Sequence, residues 1–227
     1  MSPSNSIITA SSLEFLNQLK MNNHREWFLD HKKEYENTKK QFSGFITSLI
    51  AAHGLKDASI AHLEAKDCLF RINRDVRFSK DKSPYKTNMG GSISAGGKKG
   101  NLAGYYFHLE PGASFVGGGL YMPEAVSLAK VRQEIDYNWE EFNQLLQHKL
   151  FKKTYGDLET STEFKLQRVP KGYEQGNPAS EYLKLKSFVA IKKLNDAEVL
   201  NPQLMKNTLE DFEALQPLLH FINQSLG

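Results

Sequence analysis

The sequence predicts an α+β fold with N-terminal helices, a central, mostly antiparallel β-meander and C-terminal helices. Apolar residues recur at helical spacing in the first quarter of the chain, and alternation with clustered glycines replaces that spacing in the middle. Helical spacing then returns, so helices and strands are segregated rather than alternating as βαβ units. We expect one domain over residues 1–227: helical at 11–54, β-rich at 68–122, helical at 123–148 and mixed at 149–227.

Two capping-box patterns predict where the N-terminal helices begin. Ser11 with Glu14, and Asn23 with Glu26, have the spacing at which an N-cap side chain and a later acidic side chain bond each other's backbone N–H groups. Apolar residues at helical spacing follow both boxes. The second helical segment is expected to stop near Gly54.

The central region contains a predicted hairpin, in which Pro111 and Gly112 join the segments YYFHLE and SFVGGGLY. Glycines 117–119 have no side chains to pack, which predicts a bulge or a close backbone approach. Residues 70–78 also alternate and are predicted to form a strand. The apolar face of that strand would carry Arg74 in its middle, because side chains two apart share a face.

Helices predominate again after the meander. Asn138 with Glu141 is a further capping pair, which predicts a new helix start there. Short strands are predicted at 164–169 and 187–194. The last element is expected to be a helix that is kinked or restarted at Pro217.

The composition excludes several classes of protein. The single cysteine among 227 residues cannot form an intramolecular disulfide or a thiolate metal site. No stretch of about 18 apolar residues is present, and the N-terminus lacks the basic and apolar regions of a signal peptide. We therefore expect a cytoplasmic protein without a membrane partner. Motifs for phosphate loops, dinucleotides, nucleophile elbows and zinc are absent from the sequence, so no cofactor and no metal are predicted.

Positive charge is concentrated in one segment. The segment from Arg71 to Lys99 contains eight basic residues and only two acidic ones, Asp75 and Asp81. Its net charge is therefore +6, whereas the rest of the chain carries −3. This partition focuses positive potential on one region and favours anionic ligands. The expected ligand contacts are Arg71, Arg74, Arg77, Lys82, Tyr85 and Lys86.

Three roles are open for Arg74. On an apolar strand face its guanidinium needs a carboxylate, carbonyls or a bound anion, because an unpaired buried charge is costly. A salt bridge to Glu26 or Asp30 would make Arg74 structural. A helical segment would instead place it with Arg71 and Arg77 on a solvated face. In an anion pocket its planar fork would hold phosphate or carboxylate.

His108 is the candidate acid or base. On the YYFHLE strand it shares a face with Tyr106 and Glu110, so a phenol, an imidazole and a carboxylate stand in a row. The plain alternative is the solvated face of a sheet. If this strand lies beside the basic segment, His108 becomes the general acid/base candidate.

Four segments of the chain resemble a known family. FRINRDVRFSKDKSPYKTN, GYYFHLEPG, GGGLYMP and RVPKGY are similar to the uncharacterised proteins called domain of unknown function 2461. The resemblance extends from the HREWF segment to the region of Pro217. It implies a single family-length domain and supplies no activity, substrate or catalytic residue. The matching family residues are Arg71, Arg74, Asp75, Arg77, Phe78, Lys82, Pro84, Tyr85 and Lys86.

Three hypotheses about function follow. The first is binding of a small phosphate- or carboxylate-bearing ligand at the basic segment. The second is an enzyme that acts on a phosphorylated or other anionic substrate, with the arginines stabilising transition-state charge and His108 or Asp75 moving a proton. The third is an interaction protein whose basic surface docks an acidic partner or nucleic acid.

Overall fold

The computed structural model describes residues 7–174 and 176–227, and the predicted α+β fold is confirmed. Four helices precede the sheet: α1 (Ala10–Met21), α2 (Arg25–Asp30), α3 (Lys32–His53) and α4 (Ala65–Cys68). The four strands of one antiparallel sheet, in spatial order, are β1 (Met89–Ile93), β2 (Gly104–Leu109), β3 (Ser114–Leu120) and β4 (Phe188–Leu194). The other helices are α5 (Ala125–Tyr137), α6 (Trp139–Gln147), α7 (Lys149–Tyr155), α8 (Ser180–Leu183), α9 (Asp196–Val199) and α10 (Leu204–Leu226).

Backbone contacts divide the chain into two compact units, each built from three stretches of sequence. The first unit comprises Met1–Lys98, Tyr106–Val116 and Lys193–Leu209. The second unit comprises Lys99–Tyr105, Gly117–Lys192 and Glu210–Gly227. The single domain expected from the sequence stays a prediction. Among the described residues, none of the helices has the length and apolar character needed to span a membrane.

The core of the first unit lies between α3 and the sheet. Phe42 and Phe45 of α3 are buried and pack on Phe107 of β2, with ring centroids 6.3 and 4.8 Å from that ring. Gly91 of β1 allows α3 to approach closely, since an added Cβ would lie 2.7 Å from a methyl of Ile46. The alternation of β2 therefore places Phe107 inward and leaves its neighbours on the opposite face.

The core of the second unit gathers aromatic side chains from helices and sheet. Phe212 of α10 packs on Tyr105 at 4.6 Å, and Phe221 packs on Phe142 of α6 at 5.4 Å between ring centroids. A charged pair borders this core, where Lys192 Nζ donates to both carboxylate oxygens of Asp211 at 2.8 and 2.9 Å.

The predicted close approach at glycines 117–119 is confirmed. A Cβ on Gly117 would lie 2.1 Å from the carbonyl oxygen of Ala190, and one on Gly119 would lie 1.9 Å from that of Phe188. Gly119 also adopts a φ of 129°, which side-chain-bearing residues rarely adopt. The backbone of β4 therefore occupies the space that side chains at Gly117 and Gly119 would need.

Two sequence predictions about local elements are wrong. Residues 70–78 form neither a strand nor a helix, and residues 164–169 contribute only an isolated bridge between Lys165 and Leu185. The strand predicted at 187–194 is confirmed as β4. The predicted last helix is α10, which contains Pro217 and does not restart there, and a kink at Pro217 stays a prediction.

The helix starts were predicted within one or two residues, and Asn138 is the N-cap residue of α6 as predicted, but the predicted side-chain caps do not form. Thr9 precedes α1, and its backbone N–H and hydroxyl both donate to Gln41 Oε1. His24 caps α2, where its Nδ1 accepts from the backbone of Trp27 at 3.4 Å. Asn138 likewise makes no side-chain cap for α6. Capping-box spacing does not choose among several polar residues near a helix start, because tertiary partners compete for them.

Candidate functional site

The basic segment forms an irregular antiparallel hairpin in the first unit. Isolated bridges pair Leu69 with Gly91 and Asn73 with Tyr85. Between them the backbone of Lys86 donates to the carbonyl of Ile72 at 2.8 Å. Residues 75–83 form the loop that closes this hairpin. Extended pairing continues beyond the edge of β1, although it is too irregular to be a fifth strand.

Two of the predicted ligand contacts are paired with acids of the same loop. Arg74 is 26% exposed and forms an ion pair with Asp81, and its Nη1 also donates to the carbonyl of Ser83 at 3.2 Å. Arg77 donates to both carboxylate oxygens of Asp75, at 2.9 and 2.6 Å. Neither Glu26 nor Asp30 is the partner of Arg74. Two of the three arginine charges of the hairpin are thus neutralised locally.

Two more predicted contacts also have structural roles. Lys82 Nζ donates to the backbone carbonyl of Val76 at 3.0 Å across the loop. Tyr85 is buried, and its ring stacks on Phe28 with centroids 4.0 Å apart. The backbone of Tyr85 exchanges two hydrogen bonds with the Asn23 side chain, at 2.9 and 3.1 Å. These contacts fix the hairpin to α2 and hold the loop in one conformation.

Arg71 and Lys86 are the predicted contacts that form no ion pair among the described residues, although the charge of Arg71 adds to the hydrogen bonds from Arg77 in lowering the pKa of Asp75. Within residues 7–174 and 176–227, neither side chain makes an ion pair. Lys86 Nζ lies over the ring of Phe70, 5.3 Å from its centroid. Burial lowers the pKa of Lys86 from its usual value, and the nearby charge of Arg71 lowers it further. An anion beside Lys86 would relieve both effects.

A hydrogen-bonded row of three side chains lies on the face of β2 opposite Phe107. Tyr106 Oη is 3.3 Å from His108 Nδ1, and His108 Nε2 is 3.0 Å from Glu110 Oε2. The His108 and Glu110 side chains are 13% and 23% exposed, so the row is largely desolvated but reachable. The hydrogen bonds and the low exposure distinguish this row from the solvated sheet face that was the plain alternative.

Neighbouring residues hold this row in place. The His108 ring stacks on Phe115 of β3, with centroids 4.6 Å apart and ring planes 10° apart. Thr87, from the end of the basic hairpin, donates to Glu110 Oε1 at 3.2 Å. If Nε2–H donates to Glu110, Nδ1 of the same imidazole accepts a hydrogen bond from the Tyr106 hydroxyl.

Gly90 brings the basic hairpin and the row together. β1 lies between the hairpin and the row, and Gly90 of β1 has no side chain to keep them apart. A Cβ at Gly90 would lie 2.3 Å from Tyr106 Oη. The rings of Phe70 and Tyr106 therefore approach across β1 to 6.4 Å between centroids. Lys86, Phe70, Tyr106 and His108 consequently follow one another on one face of the sheet.

Sequence reasoning found the row but missed its connections. Tyr106, His108 and Glu110 share a strand face by period alone. The only sequence feature that indicated the role of Gly90 is that it is a glycine in a strand, which often marks a close approach of the backbone. Asp81 was visible as an acid near Arg74, but no periodicity pairs residues across an irregular loop. Among the described residues, no group of three or more His, Cys, Asp or Glu side chains is placed to hold a metal ion.

These features define an α+β protein with a polar, partly desolvated row on an antiparallel sheet and two unpaired cations beside it. The chain belongs to the family described as Conserved hypothetical protein (DUF2461), whose model matches residues 11–221. The resemblance drawn from the basic segment is thereby confirmed. No curated protein and no solved structure matches the chain.

Proposed function

We propose that this protein binds a small phosphate- or carboxylate-bearing ligand on the sheet face between Lys86 and His108. The observation that carries the proposal is the division of charge within the hairpin. Arg74 and Arg77 form ion pairs with acids of the loop, whereas neither Arg71 nor Lys86 forms an ion pair among the described residues. Two adjacent cations without an ion pair favour an external anion.

The proposal assigns different roles to the residues of the basic segment. Arg71 and Lys86 provide the charge that binds the ligand. Four other residues fix the hairpin that presents them: Arg74, Arg77, Lys82 and Tyr85. Lys86 is partly desolvated, which strengthens its attraction for an anion relative to a fully solvated lysine.

Titration with inorganic phosphate and with a panel of phosphorylated metabolites, monitored by amide chemical shifts, tests this proposal. We expect shifts at residues 86–91 and 106–110 in the unaltered chain and a loss of at least about tenfold in affinity in Lys86→Ala, because one charge-assisted contact contributes roughly 1.5 to 3 kcal/mol. Lys80→Ala is the matched control, since it removes the same charge from an exposed position of the same hairpin. Equal losses in both variants would reduce the effect to general electrostatics and refute the site.

The depressed pKa of Lys86 offers an independent readout. A neutral amine is the reactive form, so competitive acetylation should modify Lys86 faster than exposed lysines, and a bound anion should slow that reaction. Lys80 is exposed and serves as an internal reference in the same digest. Reaction of Lys86 at the rate of Lys80, with or without phosphate, would contradict the proposal.

A second candidate function is catalysis on an anionic substrate, with His108 as general acid or base. The hydrogen-bonded order Glu110, His108, Tyr106 favours it, because a carboxylate orients the imidazole for proton transfer. Turnover of a phosphoester panel by the unaltered chain, abolished in His108→Ala while the phosphate titration is retained, is the expected result. Turnover that persists in His108→Ala would remove His108 from this role.

A third candidate, docking of an acidic partner or nucleic acid, has one observation in its favour. Phe78 is 96% exposed at the end of the hairpin, and Arg77 lies 5.8 Å from its ring centroid. An exposed aromatic among cations suits stacking on a base. Oligonucleotide binding that depends steeply on salt, and that is lost in Phe78→Ala, would favour this function. The cytoplasmic location predicted from the sequence is likewise a proposal.

A further inference from the structure

We propose that Tyr106 is the nucleophile of a Glu110–His108–Tyr106 triad that attacks a phosphate ester. The proposal rests on the proposed anion site, because Arg71 and Lys86 would hold the phosphoryl group. It goes beyond that site by assigning a covalent role to a phenol. The sequence predicted only that Tyr106 shares a strand face with His108.

The order of groups along the row is that of an activated nucleophile. A carboxylate, Glu110, bonds one imidazole nitrogen of His108 at 3.0 Å, and the hydroxyl of Tyr106 lies 3.3 Å from the other nitrogen. Activated hydroxyl nucleophiles have this pattern, in which the third group orients the base and the base takes the hydroxyl proton. Tyr106 is at the end of the row nearest Phe70 and Lys86.

The surroundings restrict each member of the row to this arrangement. Thr87 bonds the second oxygen of Glu110 at 3.2 Å, and Phe115 stacks on the His108 ring. Gly90 provides the space into which the Tyr106 hydroxyl fits. Contacts from two neighbouring strands and the hairpin thus position three side chains, as a preorganised site requires.

Two other tyrosines have partners that oppose ionisation. The Tyr182 hydroxyl donates to Asp157 at 3.1 Å, and burial followed by the Asp157 charge raises the pKa of that phenol. Tyr155 is buried and donates to the backbone carbonyl of Asp211, and its pKa is also raised, first by burial. Tyr106 differs because its hydroxyl lies beside the imidazole of His108, which can accept the proton.

The reaction has two balanced steps. First, the phenol proton moves to His108 Nδ1 while the Tyr106 oxygen forms a bond to phosphorus. The ester P–O bond breaks at the same time, and the departing alkoxide takes the proton from His108. In the second step water, deprotonated by His108, attacks phosphorus and displaces the Tyr106 phenolate, which recovers the proton. The products are an alcohol and inorganic phosphate.

A carboxylate-bearing arylsulfonyl fluoride tests the nucleophile directly. The Tyr106 oxygen would bond to sulfur, fluoride would leave, and His108 would take the proton. We expect peptide mass spectrometry to show Tyr106 modified at least about a hundredfold faster than Tyr137, as general-base assistance allows. Tyr137 is 72% exposed and is the internal reference for unassisted reaction. Equal rates at the two tyrosines would overturn the proposal.

Variants of the row distinguish activation from mere accessibility. His108→Gln should reduce modification of Tyr106 to the rate of Tyr137, and Glu110→Gln should lower it in part. Circular dichroism checks the fold of each variant, and Glu110→Gln decides the matter where His108→Gln fails to fold. Modification of Tyr106 that neither variant slows would overturn the triad.

Two further measurements separate this proposal from the anion site. Acid quenching after incubation with p-nitrophenyl phosphate should trap phosphotyrosine at Tyr106, and its absence overturns the phosphate-ester assignment. Phosphate should protect Tyr106 from the sulfonyl fluoride. Selective modification without phosphate binding refutes the proposed function and retains an activated phenol. Phosphate binding without selective modification refutes the nucleophile and retains the site.

Discussion

Gly90→Ala should destabilise the first unit and displace Tyr106 from His108. The added Cβ would lie 2.3 Å from Tyr106 Oη and 3.0 Å from Tyr106 Cζ, against ordinary contact at 3.4 Å or more. The phenol must therefore move by about an ångström, which breaks its bond to His108. Crowding of this kind costs about 1 to 3 kcal/mol, and the lost hydrogen bond adds roughly 1 kcal/mol.

The Tyr106→Phe background isolates the cause of this cost. Without the hydroxyl, the nearest atom of residue 106 to the new Cβ is Cζ, at 3.0 Å, which a small ring shift accommodates. We expect Gly90→Ala to cost about 1 kcal/mol there, so the double-mutant cycle should give a coupling of roughly 1 to 3 kcal/mol. A coupling of this sign shows that the hydroxyl, not the ring, occupies the space beside Gly90.

Urea unfolding followed by fluorescence and circular dichroism measures the cycle, and coincident transitions justify a two-state treatment. Gly176→Ala is the control for glycine replacement, because an added Cβ there meets no atom within 4 Å. It should change stability by well under 1 kcal/mol. If Gly90→Ala costs the same with and without the Tyr106 hydroxyl, the close approach across β1 is refuted, along with the positioning that depends on it.

Two further predictions concern charged pairs. The hydroxyl and amide of Ser83, followed by Arg74, hold the pKa of Asp81 at about 2. Ser83→Ala should therefore raise the pKa of Asp81 more than Arg74→Ala does, and NMR titration of the carboxyl group measures both changes. Because the folded pKa is the lower one, the ionised form of Asp81 stabilises the fold above about pH 4, and this contribution disappears as pH falls towards 2. Lys192→Met should destabilise the second unit by about 2 to 3 kcal/mol, less than a fully buried pair because Lys192 is one-third exposed. Adding Asp211→Asn to Lys192→Met should recover part of that loss in urea unfolding, and no recovery would contradict the pairing.

Local patterns were sufficient for the regular elements. Period 3.6 predicted α3 as far as Gly54, and period 2 predicted the hairpin between β2 and β3 with its Pro111–Gly112 turn. These predictions hold because such elements bury one face, and burial imposes a repeat on the sequence. Residues 70–78 have a similar repeat but leave Phe78 almost fully exposed, so the repeat was misleading beyond Asn73, where the pairing ends and the loop begins.

The sequence by itself determined the order of helices and strands, the concentration of positive charge and the row of Tyr106, His108 and Glu110, because each is a property of residues near one another in the chain. Only the tertiary structure decided which cations keep an acidic partner. It also decided that the row lies near Lys86, since that approach depends on Gly90 having no side chain. Pairing and clearance are relations between segments distant in sequence, and no local repeat encodes them.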